Sequence, residues 1–307
     1  MSRFVFFILV DFILILQIKF GFSQSNDTTT VRNCNCFVQI EAVNDDLDEV
    51  EQMSENKIDT NVSNIEKQLL ENRASKFYSC MEAKPSSCME AAAHSMTNGI
   101  FQITLEKINA TALQVFCEED VDFGGWLVIQ RRKSDAVNFT RDWHDYKEGF
   151  GDLKENYWIG LEKLHALTSS CEQELYVQLE KYNGEKYYAK YSEFLIGDES
   201  ESYALKKLGN YSGNAGDSLI HHLGKKFSTY DRDNDEWERS CAMDWKGGWW
   251  FFKCYFSHLN GLYGVRETGV DWIHITRNES LSFAQMMIRP TQNCRSRLML
   301  NNLNRCL

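Results

Sequence analysis

Proline is nearly absent from this chain. Pro85 and Pro290 are the only two in 307 residues, so no proline-rich linker divides the residues between them. No Cys-x-x-Cys pair occurs, which removes the usual zinc arrangements and leaves Cys34 and Cys36 as the closest-spaced cysteines. No His-Glu-x-x-His sequence is present, and Ser218 lacks the sequence of a nucleophile elbow. The seven scattered histidines therefore mark no hydrolytic centre, and no enzyme is expected. Basic residues are in deficit, 33 against 44 acidic, for a net charge of −11. That balance argues against nucleic acid or an anionic membrane as partner. Only the segment after Pro290 reverses it, with Arg295, Arg297 and Arg305 and no acid.

A full membrane span is also missing, since such a helix needs about 20 mainly apolar residues. Residues 4–16 form a shorter apolar run behind Arg3, broken by Asp11 and followed by Gln17 and Lys19. Gly21 and Ser23 are small residues at the two positions a signal peptidase reads, so residues 1–23 are expected to be a cleaved signal peptide. The alternative is an uncleaved anchor. A secreted, extracellular chain agrees with six Asn-x-Ser/Thr sequons, at Asn26, Asn61, Asn109, Asn138, Asn210 and Asn278. It also agrees with ten cysteines, an even number suited to disulfides in an oxidising compartment.

Residues 24–37 form a polar segment carrying Cys34 and Cys36. Residues 38–79 change character, with few aromatics and many Glu, Asp, Asn and Lys. Ile40, Val43, Leu47 and Val50, then Ile58, Val62, Ile65 and Leu69, step by threes and fours with one skipped residue near Ser54. This is the seam of a short coiled coil, with an extended acidic stalk as the alternative. A coiled coil with Cys34 and Cys36 at its head would join chains into a homo-oligomer.

From Cys80 to Pro290, aromatics and glycines become frequent over enough residues for one sizeable core. Gly124-Gly125-Trp126 opens an apolar run to Arg131 that reads as a turn and a buried strand. Leu175, Val177 and Leu179 alternate with polar or amphipathic neighbours, and Asn183-Gly184 separates them from a second, aromatic strand. That dipeptide predicts a hairpin turn with positive φ at both positions. Leu161, Leu164 and Leu167 predict a short helix; residues 217–223 predict another, with Asp217 as its N-cap. Of His221 and His222, one is expected in the core and one on the surface. The fold class is α+β, a hairpin-rich twisted sheet with short helices.

The densest chemistry is a run of alternating acids, Asp231, Asp233 and Asp235. Six residues beyond Asp235 begins the segment from Cys241 to Cys254, which is packed with aromatics. Hard carboxylate oxygens beside such a loop point to a calcium-ordered binding surface. An EF-hand is excluded, because its Gly and Glu positions hold Glu236 and Ala242.

The ordered motifs now identify a resemblance. They include Asn98 to Ile103, Gly124 to Arg132, Asn138 to Trp143, Tyr146 to Gly151 and Gly213 to Ser218. Lys226 to Asp235, Gly248-Trp249-Trp250, His258 to Tyr263 and Met287 to Pro290 follow. In this order residues 80–290 resemble the fibrinogen C-terminal domain of ficolins, tachylectins and angiopoietins, with 291–307 as a cysteine-containing tail. The resemblance implies disulfides Cys88–Cys117 and Cys241–Cys254 and a cis peptide between Lys253 and Cys254. It implies Ca2+ held by Asp233 and Asp235 with the backbone oxygens of Trp237 and Arg239. Arg239 departs from the glycine common there. It also implies a ligand pocket at Trp245, Lys253, Cys254 and Tyr255.

In acetyl-binding members the positions of Trp245 and Tyr255 hold Tyr and His, and the loop between Gly264 and Gly269 is longer. Trp249, Trp250 and Phe251 are expected to complete an aromatic floor, with Trp249 equally assignable to the core. Pairings of Cys34, Cys36, Cys80, Cys171, Cys294 and Cys306 are open; Cys294 with Cys306 would close the tail. The implied function is a secreted, lectin-like, calcium-dependent protein of innate immunity that binds glycans or acetylated groups. The alternative is a signalling or matrix protein whose domain binds a cell-surface receptor.

Overall fold

The computed structural model describes residue 68 and residues 85–93, 95–276 and 279–296. Apart from residue 68, these lie in the second of two compact units, residues 70–307. The signal peptide, the coiled coil apart from residue 68, Cys34, Cys36, Cys80, Cys306 and sequons Asn26, Asn61 and Asn278 fall outside the described residues. Among the described residues, no helix is long and apolar enough to cross a membrane.

A short helix, α1 (Cys88–Ala91), precedes β1 (Gly99–Leu105), β2 (Ala110–Glu118) and β3 (Trp126–Arg132). Next come α2 (Trp143–Glu148), the two-residue strands β4 (Phe150–Gly151) and β5 (Tyr157–Trp158), and α3 (Leu161–Ser170). The long hairpin β6 (Gln173–Glu180) and β7 (Lys186–Ile196) is followed by β8 (Leu205–Lys207) and β9 (Tyr211–Gly213). Helix α4 (Cys241–Trp245), β10 (Ser257–His258), β11 (Asp271–Trp272) and β12 (Phe283–Pro290) complete the order. The main sheet runs β1-β2-β3-β12-β6-β7-β8, so β12 returns from the far end of the chain to the centre. It pairs antiparallel with both β3 and β6.

The buried run read from sequence is β3, whose seven residues are all buried. A central strand covered on both faces needs such a continuous pattern. Leu175, Val177 and Leu179 on β6 face the core at 0 % exposure, while Tyr176 on the opposite face stacks on Tyr188 of β7. Helix α3 lays Leu161, Leu164 and Leu167 against this core, as their spacing predicts.

The β6–β7 turn differs in detail. Only Gly184 has positive φ, at 84°, and Lys181 N–H donates to Glu185 O across Tyr182, Asn183 and Gly184. A three-residue loop with glycine in the left-handed position closes the hairpin equally well, so a two-residue turn is not required. Residues 217–223 form only a 3₁₀ turn, Leu219–His222. Asp217 still accepts the Ile220 N–H, while its carboxylate is shared with the Tyr191 hydroxyl. His222 is buried and His221 exposed, as expected.

Three disulfides join described residues. Cys88–Cys117 and Cys241–Cys254 are the two implied by resemblance. The third, Cys171–Cys294, fills a pairing that the sequence leaves open, and it takes Cys294 away from Cys306. Cys294 sits in a helical turn at 292–296, just after β12. Pairing of β12 with β6 places Pro290 beside Gln173, which brings that turn next to Cys171 at the end of α3. Asn109, Asn138 and Asn210 are exposed, as glycan acceptors must be.

Candidate functional site

The three alternating acids separate into different roles. Asp231 accepts the Trp143 backbone N–H and the Thr229 hydroxyl, so it anchors the start of α2. Asp235 reaches the other way, accepting Trp237 N–H on one oxygen and Cys241 N–H on the other. Asp235 thereby fastens the acidic loop to the first turn of α4 and to the disulfide at Cys241. Asp233 accepts the Asp235 N–H at 3.2 Å, which keeps the two side chains together. Burial, opposed by its two N–H partners and reinforced by Asp233, pushes the Asp235 carboxyl up to about 6.

The donors around Asp235 are oxygen atoms, the kind a hard divalent cation takes. Each Asp235 oxygen keeps a further lone pair, and the carbonyls of Trp237 and Arg239 accept no backbone N–H among the described residues. Among those residues no group of three or more His, Cys, Asp or Glu could hold a metal. An ion here would therefore depend on the two carbonyls and on water. Arg239 does not crowd the loop with an unbalanced charge. Its guanidinium pairs with Asp244 at 2.9 Å and lies 5.8 Å from the Trp237 ring centre.

Beside the loop lies a cavity of about 600 Å³ lined by Trp237, Trp245, Lys253, Cys254, Tyr255, Phe256, Glu267, Asp271 and Ile273. All four residues predicted for the pocket line this one cavity. Helix α4, capped by the Ser240 hydroxyl, ends on Trp245, and the disulfide holds that helix to Cys254. The Lys253–Cys254 peptide is cis. Trp245 and Tyr255 meet edge to face, 5.3 Å apart at 87°, and form a corner of two aromatic walls.

Trp249, Trp250 and Phe251 are not part of the floor. They are at most 1 % exposed and pack within the core, where the Trp250 indole donates to Tyr203 O. The bridge between Ser228 and Trp249 draws this stretch inward before the chain returns to the surface at Lys253.

Of the other five lining residues, Trp237 was expected only as a calcium ligand through its backbone oxygen, and four were not anticipated. Phe256 adjoins the predicted Tyr255, but nothing local marks its orientation. The shortened loop supplies Glu267 where a tyrosine was missing, and the Tyr255 hydroxyl donates to Glu267 O at 3.0 Å. Asp271 and Ile273 arrive because β10 pairs with β11, a contact that no local pattern announces. Burial pushes the Asp271 carboxyl up to about 6, against the hydrogen bond from the Thr276 hydroxyl. Neither Glu267 nor Asp271 is salt-bridged among the described residues, whereas Arg239 pairs with Asp244.

A sequence model of the family described as "Fibrinogen beta and gamma chains, C-terminal globular domain" matches residues 84–291. Tenascin-R of Gallus gallus is 39% identical over 212 residues, covering 68% of this chain but 16% of its own length. The chain thus spans only about a sixth of that relative. Ryncolin-4 of Cerberus rynchops is 39% identical over 221 residues, covering 70% of this chain and 64% of its own. The fibrinogen-like globe domain of human ANGPTL2 superposes with a TM-score of 0.65 at 41% identity, covering 67% of this chain and 99% of that one. A lamprey fibrin D-dimer, complexed with the peptide Gly-His-Arg-Pro-amide, gives 0.62 at 30% identity, covering 75% and 84%.

Proposed function

The chain belongs to the fibrinogen C-terminal domain family, and from that premise we propose that it is a secreted, calcium-dependent recognition protein gripping glycans or acetylated groups. The observation that carries this reading is the convergence of Trp245, Lys253, Cys254 and Tyr255 on one aromatic cavity. Aromatic walls suit the apolar face of a sugar or an acetyl methyl, and backbone N–H groups can take its oxygens. Calcium would be held by Asp233 and Asp235 with the carbonyl oxygens of Trp237 and Arg239. When bound, the ion supplies positive charge between two crowded carboxylates and fixes the loop that carries Trp237.

One observation favours a second reading, a receptor or other protein as ligand. Glu267 and Asp271 line the cavity without a salt-bridge partner among the described residues, so a basic group on a protein ligand would find counter-charge there. Agarose bearing N-acetylglucosamine separates the readings. Retention in calcium, with elution by free acetate or a chelator, is expected for the glycan reading. No retention with calcium present contradicts it. Capture on a receptor-ectodomain array that is competed by a basic peptide then supports the second.

A further inference from the structure

His222 lies outside the cavity, and neither the acidic loop nor the disulfide accounts for its contacts. It is fully buried in the 3₁₀ turn Leu219–His222, yet every hydrogen bond of its imidazole goes to the backbone of the pocket segment. Its Nδ1 is 2.7 Å from Trp250 O, and its Nε2 is 3.2 Å from Phe256 N and 3.0 Å from Ser257 N. Two backbone N–H groups pointing at Nε2 require that nitrogen to be the acceptor. Nδ1 then carries the proton and donates to Trp250 O. The ring packs edge to face against Trp249 and Phe252, at 6.3 and 5.7 Å, which fixes its plane.

The partners of this imidazole bracket the turn that makes the pocket. Trp250 precedes it, Phe256 and Ser257 follow it, and between them lie Lys253, Cys254 and Tyr255. Within the turn, Phe252 N–H donates to Cys254 O, and Phe252 O accepts from Glu236 N–H in the acidic loop. One ring therefore ties both ends of the pocket turn, and that turn is bonded in turn to the loop of Asp233 and Asp235.

We infer that His222 is a positioning residue for the ligand pocket: a neutral imidazole that staples Trp250 to Phe256 and Ser257 and so sets the Lys253–Tyr255 wall and the register of the acidic loop against it. The inference rests on the pocket reading above for its functional meaning but not for its geometry. Without the acceptor at Nε2, two N–H groups lose their partner and the turn is free to rearrange, although the disulfide still holds Cys254.

Hydrogen exchange of the full chain, without any ligand, tests the staple separately from the pocket reading. In the wild type the Phe256 and Ser257 amides exchange slowly at pH 7. In His222→Phe they exchange at least tenfold faster, while the amides of β12 keep their protection. In His222→Gln, whose side chain offers both a carbonyl acceptor and an N–H donor, at least half of the lost protection returns. Unchanged Phe256 and Ser257 amides in His222→Phe would overturn the inference. So would equal acceleration throughout β12, which would make His222 an ordinary core residue. If His222→Phe does not fold, His222→Gln decides alone: protected Phe256 and Ser257 amides support the staple and rapid exchange there refutes it.

Discussion

Replacing Cys171 and Cys294 together by alanine should lower the unfolding free energy by about 4–5 kcal/mol, the largest effect expected of the three cross-links among the described residues. The bond closes a chain separation of 123 residues, against 29 for Cys88–Cys117 and 13 for Cys241–Cys254. Loop-closure entropy removed from the unfolded state grows with that separation, so the longest loop contributes most. The bond also has a structural task. It ties the turn after β12 to the end of α3, and β12 is the central strand between β3 and β6. For a domain of this size each kcal/mol moves the midpoint by roughly 2–4 °C, so melting should fall by about 10–20 °C. Calorimetry of the double variant reads this directly. A midpoint within about 3 °C of wild type would mean the bond contributes little, or that Cys294 pairs elsewhere.

Acid should act on stability through the buried histidines. Burial pushes His222 down to about 3 and His258 down to about 4, each from an ordinary 6.5. His258, His221 and Lys225 nearby further disfavour a charge on His222. Below pH 6.5 the unfolded chain takes a proton on each imidazole that the native chain refuses until near pH 3 or 4. The contribution is therefore complete above pH 6.5 and is lost as pH falls, by up to about 1.4 kcal/mol per unit for each histidine. Asp271 works in the opposite sense. Its carboxyl is raised to about 6, so the native chain takes up that proton first and gains stability between pH 6 and 4.

Because these effects oppose one another, the wild-type curve alone does not isolate either. Comparison with His222→Gln does. Between pH 6.5 and 4 the wild type should lose about 3 kcal/mol more than the variant in urea unfolding. Parallel curves would show that His222 is already protonated in the native chain, or is reached by water.

What was legible in the sequence was what neighbouring residues decide. The alternation of Leu175, Val177 and Leu179 set the faces of β6, and the spacing of Leu161, Leu164 and Leu167 set the buried side of α3. The pocket residues Trp245, Lys253 and Cys254 lie on one short cysteine-bounded segment with Tyr255 directly after it, and their grouping was implied by the family resemblance. What was illegible depends on partners far along the chain. Cys171 meets Cys294 only because β12 pairs with β6. Asp271 enters the cavity only through the pairing of β10 with β11. Trp249 and Trp250 carry the same side chain as Trp245, and the bridge to Ser228 decides that they turn inward. Asp231 looks identical to its neighbours in sequence, yet the start of α2 claims it.

Recognition depends on the corner formed by Trp245 and Tyr255 being the surface that holds the partner. The most direct measurement is capture of the strongest binder from a combined glycan and receptor-ectodomain array by wild type and by Trp245→Ala, in calcium. Trp245→Ala should lose at least tenfold in affinity, on the order of 1.4 kcal/mol or more, while melting normally. Undiminished capture by a properly folded Trp245→Ala would place recognition on another face of the domain and contradict the account.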